Sequence, residues 1–350
     1  MAGFRRLLRA PAGRITNQTL LVALVLVFGT GVATVAIGSA SGRWAAIAHG
    51  IAGLVILLLA PWKSRVVRGG LRRGRHTRWA SLVLAALVII TFAAGLGYAT
   101  GLVRSIAGKP GLWVHIAVAL VLVPLVVWHL AARRIRPRRS DLSRRTFLRA
   151  GLLGAGAAGL YVAVAGAVRL ARLPGAERRF TGSYQTGSFD PDAMPTTSWL
   201  VDPIPAVDPD RWRLTVVDGA GRYQLGLDEL AAFGVRMQAT LDCTSGWYAR
   251  QDWTGVPVGA LLRSSGLRSS GQARSLLVHS VTGYWIRFPV SDVGRLLLAT
   301  RVGGAPLSAG HGYPLRLVAP GRRGYWWVKW VDRIELQATP WWWQPPFPVT

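Results

Sequence analysis

Long apolar stretches without a single charge, separated by arginine-rich clumps, constrain this chain more than any other feature. They lie between Arg14 and Arg43, Arg43 and Lys63, Arg78 and Arg104, Lys109 and Arg133, and Arg149 and Arg169. Each holds about 20 apolar residues, enough to cross about 30 Å of hydrocarbon as a helix. Helices of soluble proteins keep one polar face and are seldom this uniformly apolar. Five membrane spans are therefore expected. Trp44, Trp62, Trp79, Trp113 and Trp128 fall near span ends, where the amphipathic indole prefers the interface.

The charge distribution agrees with this. The 350-residue chain carries a formal net charge of +27, with 42 Lys and Arg against 15 Asp and Glu. Residues 1–150 hold 22 of the basic residues and one acid, Asp141. Basic chains often bind nucleic acid. Here the basic residues sit between apolar runs, so topology accounts for them and no nucleic-acid partner is expected. Lys and Arg number four at the N-terminus, seven in the 63–78 loop and eight in the 133–149 loop, against one and two in the opposite loops. The positive-inside rule then puts the N-terminus in the cytoplasm. Five spans place residues 170–350 outside, giving a multi-pass protein of the cell membrane with an extracytoplasmic domain.

The fifth span opens with Ser143-Arg144-Arg145-Thr146-Phe147-Leu148-Arg149. This segment resembles the twin-arginine export signal, a route for folded proteins that often carry a cofactor. Ala163-Val164-Ala165 offers a cleavage site, although an uncleaved anchor is preferred. Four of the six histidines lie in the first half: His49, His76, His115 and His129. Imidazole within a bilayer is costly and usually functional. His49 and His115 fall at similar depth near the outer ends of spans 2 and 4, where a bis-imidazole haem b is expected to bridge them. His129 lies 14 residues beyond His115, about 21 Å deeper at 1.5 Å per residue. An inner haem there has only His76 as a partner. This layout resembles four-helix b-type cytochromes, without their usual complete histidine set.

Residues 175–211, rich in Pro, Gly, Ser, Thr and Asp, read as an extended lead-in. A strand is expected over Arg213–Val217, running into a turn at Asp218-Gly219, and a short helix over Leu225–Phe233. Further strands are expected over Leu276–Val281, Trp285–Phe288, Pro314–Val318 and Trp326–Leu336. The sum is an α+β domain large enough for its own core. Cys243 is the single cysteine, so an intramolecular disulfide and a multi-cysteine metal site are excluded. It follows a strand-like run, which leaves three readings open: nucleophile, metal ligand or inert buried thiol.

Several motifs occur in order from about 195 to 338. They are Trp212-Arg213-Leu214 with Asp218-Gly219, Cys243-x-x-x-Trp247 with Trp253-x-Gly255-x-Pro257, Gly310-His311-Gly312-Tyr313-Pro314-Leu315-Arg316, and Trp327-Val328-Lys329-Trp330. Together they resemble the molybdenum domain of the sulfite oxidase family. The resemblance implies that Cys243 ligates molybdenum as a thiolate, completed by one molybdopterin. It implies that His311 and Arg316 bind the pterin, with Trp327, Val328 and Lys329 as a second pterin-binding segment and Ser280 near a further contact. Trp247, Tyr248 and Arg250 follow the ligand and are candidates for the substrate pocket. Arg322 and Arg323 read as solvated loop charges.

Two features depart from sulfite oxidases. The chain ends at residue 350 with no immunoglobulin-like dimerisation domain, and no arginine pair follows Cys243. Trp247 matches the exported methionine sulfoxide reductase branch instead, whereas His311 is the sulfite oxidase choice. The resulting architecture is an α-helical transmembrane bundle plus an exported α+β sulfite oxidase-type molybdopterin domain. Its parts are a four-helix membrane domain (1–135), a twin-arginine-like segment with the fifth span (136–172), and a catalytic domain (173–350). The expected function is reduction of a small S- or N-oxide at the outer face, with electrons from membrane quinol through haem b. The alternatives are a sulfite-type dehydrogenase running in the oxidative direction, and a membrane electron-transfer protein whose outer domain holds no cofactor.

Overall fold

The computed structural model describes residues 13–71, 78–132, 141, 143–197, 203–219, 221–264 and 273–345. His76 lies outside them, within the undescribed 72–77 part of one arginine-rich loop, as do residues 133–140 and 142 of the other. The chain divides into two compact units, residues 1–35 with 41–182 and residues 36–40 with 183–350.

Among the described residues the first unit holds five long helices: α1 (Gly13–Ala36), α2 (Gly42–Leu71), α3 (Arg78–Thr100), α4 (Gly111–Ala132) and α5 (Arg144–Leu170). All five are long and apolar enough to cross a membrane. The α3–α4 turn carries a two-stranded ribbon, β1 (Ser105–Ile106) with antiparallel β2 (Lys109–Pro110). Trp79 at the start of α3 stacks on Trp128 near the end of α4, with ring centroids 6.5 Å apart, as an antiparallel pair requires. The Ser143 hydroxyl accepts from the Thr146 backbone N–H and caps α5, so the arginine pair opens that helix. Asp141 receives Arg14 Nη2 at 2.6 Å and Gln18 Nε2 at 2.8 Å. The unit continues past the expected boundary at 172. A single 3-10 turn at Pro174–Glu177 follows α5, and Arg178 Nε donates to the Ala99 carbonyl at 2.9 Å. Gly175 allows this docking, because a Cβ there would lie 2.2 Å from the Ala99 oxygen.

The second unit is α+β. Its elements in chain order are β3 (Tyr184–Gln185), β4 (Leu214–Asp218), β5 (Gly221–Leu225), α6 (Leu227–Ala231), β6 (Val235–Asp242), β7 (Trp247–Pro257), α7 (Val258–Ser264), β8 (Ser275–Ser280), β9 (Trp285–Pro289), β10 (Leu297–Val302), β11 (Ala305–Pro306), β12 (Arg316–Val318) and β13 (Val331–Gln337). One sheet runs β11-β10-β7-β3, with β12 also on β10 and β6 also on β7. The other runs β5-β4-β13-β8-β9, with β4 and β13 parallel. Leu214, Val216, Val278, Phe288 and Ile334 of the second sheet join Ala249, Trp253, Leu297 and Leu317 of the first in one continuous core.

Most expected strands appear within a few residues. The segment Trp326–Leu336 is the exception, because the strand begins only at Val331. Gly324–Trp326 instead forms a 3-10 turn, and Trp330 sits at φ +51°, a conformation that bulky residues rarely adopt. The 11-residue β7 was not anticipated. Its glycine explains the Trp-x-Gly-x-Pro pattern, since a Cβ on Gly255 would lie 2.0 Å from the Leu298 carbonyl oxygen of β10. That pair sits beside a β-bulge at Ala299/Arg301. Gly255→Ala is expected to destabilise this unit by about 3 kcal/mol, the upper range for overpacking, and chemical denaturation of the purified protein measures it.

Candidate active site

Cys243 sits immediately after β6, in a tight turn leading into β7. Its N–H donates to the Trp247 carbonyl at 2.9 Å, and the Gly246 N–H returns to the Cys243 carbonyl at 3.2 Å. Gly246 takes φ +95°, which glycine adopts at no steric cost. The Ser245 hydroxyl donates to Cys243 Sγ at 3.0 Å. The thiol is half-buried.

A buried arginine and a half-buried lysine belong to the same neighbourhood. Arg316 on β12 is only 3% exposed. Its Nη1 donates to the His311 carbonyl at 2.9 Å, while its guanidinium carbon lies 5.4 Å from the Trp253 ring and 5.8 Å from the Trp327 ring. Burial pulls its pKa down to about 10, partly opposed by the charge of Cys243. Lys329 donates to the Gly310 carbonyl at 2.7 Å and lies 5.0 Å from the Trp330 ring. Burial, and then repulsion from Arg316, bring its pKa down to about 7, again opposed by Cys243. Among the described residues neither cation forms an ion pair. Gly312, at φ +108°, folds the intervening turn against both, since a Cβ there would lie 3.1 Å from Lys329 Cβ and 3.3 Å from Arg316 Cβ.

This arrangement fits a phosphate-bearing pterin with a soft metal. Two basic groups drawn from solvent, with no carboxylate partner among the described residues, suit an anion from outside the chain. Arg316 Nε is buried without a hydrogen-bond partner, so part of its fork is left for a phosphate. A soft thiolate donor beside them suits a redox metal. One consequence concerns the cofactor-free protein. The folded Lys329 pKa of about 7 lies below the ordinary 10.5, so the unfolded chain binds the extra proton between those values. Stability is therefore expected to rise with pH from about 7 towards 10.5. Melting temperatures across that range should show the slope, and Lys329→Met should flatten it.

The other expected residues fall in distinct places. His311 is 6% exposed, and both ring nitrogens are engaged within the chain: Nε2 with the Met194 carbonyl at 3.0 Å and Nδ1 with the Ser308 hydroxyl at 2.9 Å. The carbonyl partner requires a proton on Nε2, and burial lowers the ring's pKa, so the ring is neutral with Nδ1 accepting. His311 thus supports Arg316 through its backbone. It also borders an open cleft of about 430 Å³ lined by Pro191, Met194, Thr196, Val302 and Ser308. Trp327 and Val328 are buried core residues. Trp327 contributes its ring face to Arg316, and Val328 pairs with Leu317 through the backbone. Ser280 is buried at the end of β8, where its hydroxyl bonds Thr282 within its own turn at 3.1 Å. Successive side chains of β7 alternate between faces, so Trp247 lies with buried Ala249 and Gln251, while Tyr248 and exposed Arg250 share the opposite face. The Trp247 indole donates to Thr197 Oγ1 at 3.2 Å.

Arg322 and Arg323 are not solvated loop charges. Arg322 is partly buried, paired with Asp292 and stacked 4.5 Å from the Trp326 ring. Arg323 is 1% exposed and paired with Asp242 at 2.5 Å. Their partners lie 30 and 81 residues away in sequence, beyond the reach of local reading.

In the helical unit, His49 of α2 and His115 of α4 face one another. Their ring centroids are 6.0 Å apart with planes at 88°. His49 Nδ1 lies 2.9 Å from the Val27 carbonyl of α1, and His115 Nδ1 lies 2.8 Å from the Thr91 carbonyl of α3. Each Nδ1 therefore carries the proton, which leaves Nε2 as the free donor lone pair. Glycines make room for both rings. A Cβ on Gly31 would lie 3.2 Å from His49 Cε1, and one on Gly95 would lie 2.8 Å from His115 Nδ1.

Comparison with known proteins agrees with the motifs of the second unit. Residues 201–343 match the oxidoreductase molybdopterin binding domain. The chain is 27% identical to the mitochondrial sulfite oxidase of Rattus norvegicus over 168 residues, covering 39% of this chain and 31% of that protein. It is 36% identical to a nitrate reductase [NADPH] of Phytophthora infestans over 96 residues, covering 24% of this chain and 10% of that protein. It is 29% identical to the uncharacterized oxidoreductase YuiH of Bacillus subtilis (strain 168) over 166 residues, covering 44% of this chain and 81% of that protein. The chain thus spans under a third of the length of the sulfite oxidases it matches.

Proposed function

We propose that this oxidoreductase, whose residues 201–343 form a molybdopterin-binding domain of the sulfite oxidase type, is a membrane-anchored enzyme with its catalytic domain outside. It reduces a neutral S- or N-oxide with electrons drawn from membrane quinol through haem b. The observation that carries the enzymatic reading is the placing of buried Arg316 and half-buried Lys329, packed on the same turn and without an ion-pair partner among the described residues, near the chain's single cysteine.

When bound, molybdenum on its pterin supplies two-electron oxygen-atom transfer. The chain holds and orients that group. Cys243 contributes one thiolate ligand. Ser245 donates a hydrogen bond to the same sulfur, which withdraws charge from the ligand and tunes the potential. Arg316 would present its planar fork to the phosphate, packed against the neighbouring Trp253 and Trp327 rings. Lys329 adds a point charge, restored to its protonated form once the anion is present. A neutral oxide is favoured over an anion such as sulfite because Arg323 is already neutralised by Asp242, and Arg250 lies on the opposite pleat from Trp247.

The histidine pair supports the electron path. His49 and His115 would hold the iron: their rings lie 6.0 Å apart, and the Nδ1 contacts with Val27 and Thr91 leave each Nε2 as the ligating nitrogen. Five apolar helices support a multi-pass membrane location, and the excess of Lys and Arg on one side supports the orientation. The test is metal content of the detergent-solubilised full chain from a host that makes both cofactors. Molybdenum and iron each near one per chain, with viologen-driven reduction of a sulfoxide or N-oxide, is the expected result. Iron without molybdenum would overturn the enzymatic reading, and molybdenum without iron would overturn the haem relay.

A further inference from the structure

We infer that Arg323 is a positioning residue for Cys243, locking the direction of the thiolate relative to the pterin anchors; this rests on the reading of Cys243 as the metal ligand. Arg323 and Asp242 form a fully buried ion pair directly beneath the cysteine turn. Arg323 Nη1 donates to Asp242 Oδ1 at 2.5 Å, and the Ser183 hydroxyl donates to the same oxygen at 2.6 Å. Arg323 Nη2 also donates to the Cys243 carbonyl at 3.3 Å, and Ser183 Oγ lies 3.3 Å from the same carbonyl oxygen. With the Gly246 and Trp247 contacts, both backbone polar atoms of Cys243 are held. The backbones meet as well. Asp242 and Arg323 form a parallel bridge, and a Cβ on Gly324 would lie 3.0 Å from Cys243 Cα.

A buried ion pair is poor value as a source of stability, because desolvation offsets the attraction between its members. Its use here is geometric. The segment that carries Arg323 turns through Gly324–Trp326 and then supplies Trp327 and Lys329 to the cation site. One short stretch therefore fixes the cysteine at one end and the phosphate-binding lysine at the other. Rotation of the Cys243 backbone would change the separation of sulfur from pterin anchor, and the Arg323 fork resists that rotation. Lysine cannot substitute, since it lacks a planar fork that reaches a carboxylate and a carbonyl together.

Two variants of the full-length protein test this: Arg323→Lys, and the double variant Asp242→Leu with Arg323→Met, which removes the pair without stranding a charge. Because Cys243 is the chain's only cysteine, its alkylation by iodoacetamide in cofactor-free protein reports its freedom directly. Both variants are expected to keep the fold by circular dichroism. Both should raise the alkylation rate about tenfold, and loaded forms should show a shifted Mo(V) resonance with kcat down about 10–100-fold and KM little changed, the range for residues that support a ligand. Wild-type alkylation rate and an unshifted resonance in both variants would overturn the inference. Loss of the fold in both would assign the pair to stability alone and overturn it equally. A parallel Cys243→Ser protein separates the premise: an unshifted resonance there would remove Cys243 as ligand whatever the Arg323 variants do.

Discussion

Cys243→Ala is expected to lose more than about 100-fold in oxide reduction, beyond the range for residues that merely support a ligand, while still retaining pterin. The two functions separate because they rest on different residues. In the proposed site the sulfur donor comes from the β6–β7 turn, whereas phosphate binding would rest on Arg316 and Lys329. Arg316→Met should show the reverse defect. It leaves the thiol in place but removes the guanidinium packed beside Trp253 and Trp327, so pterin content itself should fall. Pterin fluorescence after acid release, measured beside viologen-driven turnover, distinguishes the two. Full activity in Cys243→Ala would exclude thiolate ligation.

On the proposed haem relay, His115→Ala is expected to abolish the haem Soret band and quinol-driven turnover, yet leave viologen-driven turnover within about threefold of wild type. A bis-imidazole site that loses one axial ligand loses its low-spin haem, but an artificial donor reaches the molybdenum domain without it. Gly95→Leu should behave the same way without touching a ligand, since even a Cβ at that position would lie 2.8 Å from the His115 ring. Absorbance spectra and the two assays, run on the same preparations, give the comparison. Intact quinol-driven turnover in both variants would remove haem from the path.

The parts legible in sequence are those set by local composition. A charge-free run of about 20 apolar residues has one stable form in lipid, because only a helix satisfies its own backbone there. The five runs accordingly appear as five helices. Strands such as Ser275–Ser280 and Trp285–Pro289 were legible because a Thr-Gly turn separates two β-prone runs. The cysteine and the Arg316–Lys329 pair were legible as ordered motifs. Trp326–Trp330 was not, since its aromatic composition suggests a strand, while contacts with the cysteine turn curl it.

The sequence by itself determined the long apolar helices, the uneven distribution of Lys and Arg between them, and the residue types offered to the proposed thiolate- and phosphate-binding site. Only the tertiary structure decided which charges are buried. Arg322 and Arg323 are neighbours with identical side chains, yet one is a partly exposed partner of Asp292 and the other is sealed against Asp242 beneath Cys243. Nothing in their local sequence separates them. The cost of desolvating a guanidinium is met or left unmet by a carboxylate far along the chain, and that meeting exists only once the sheets have packed.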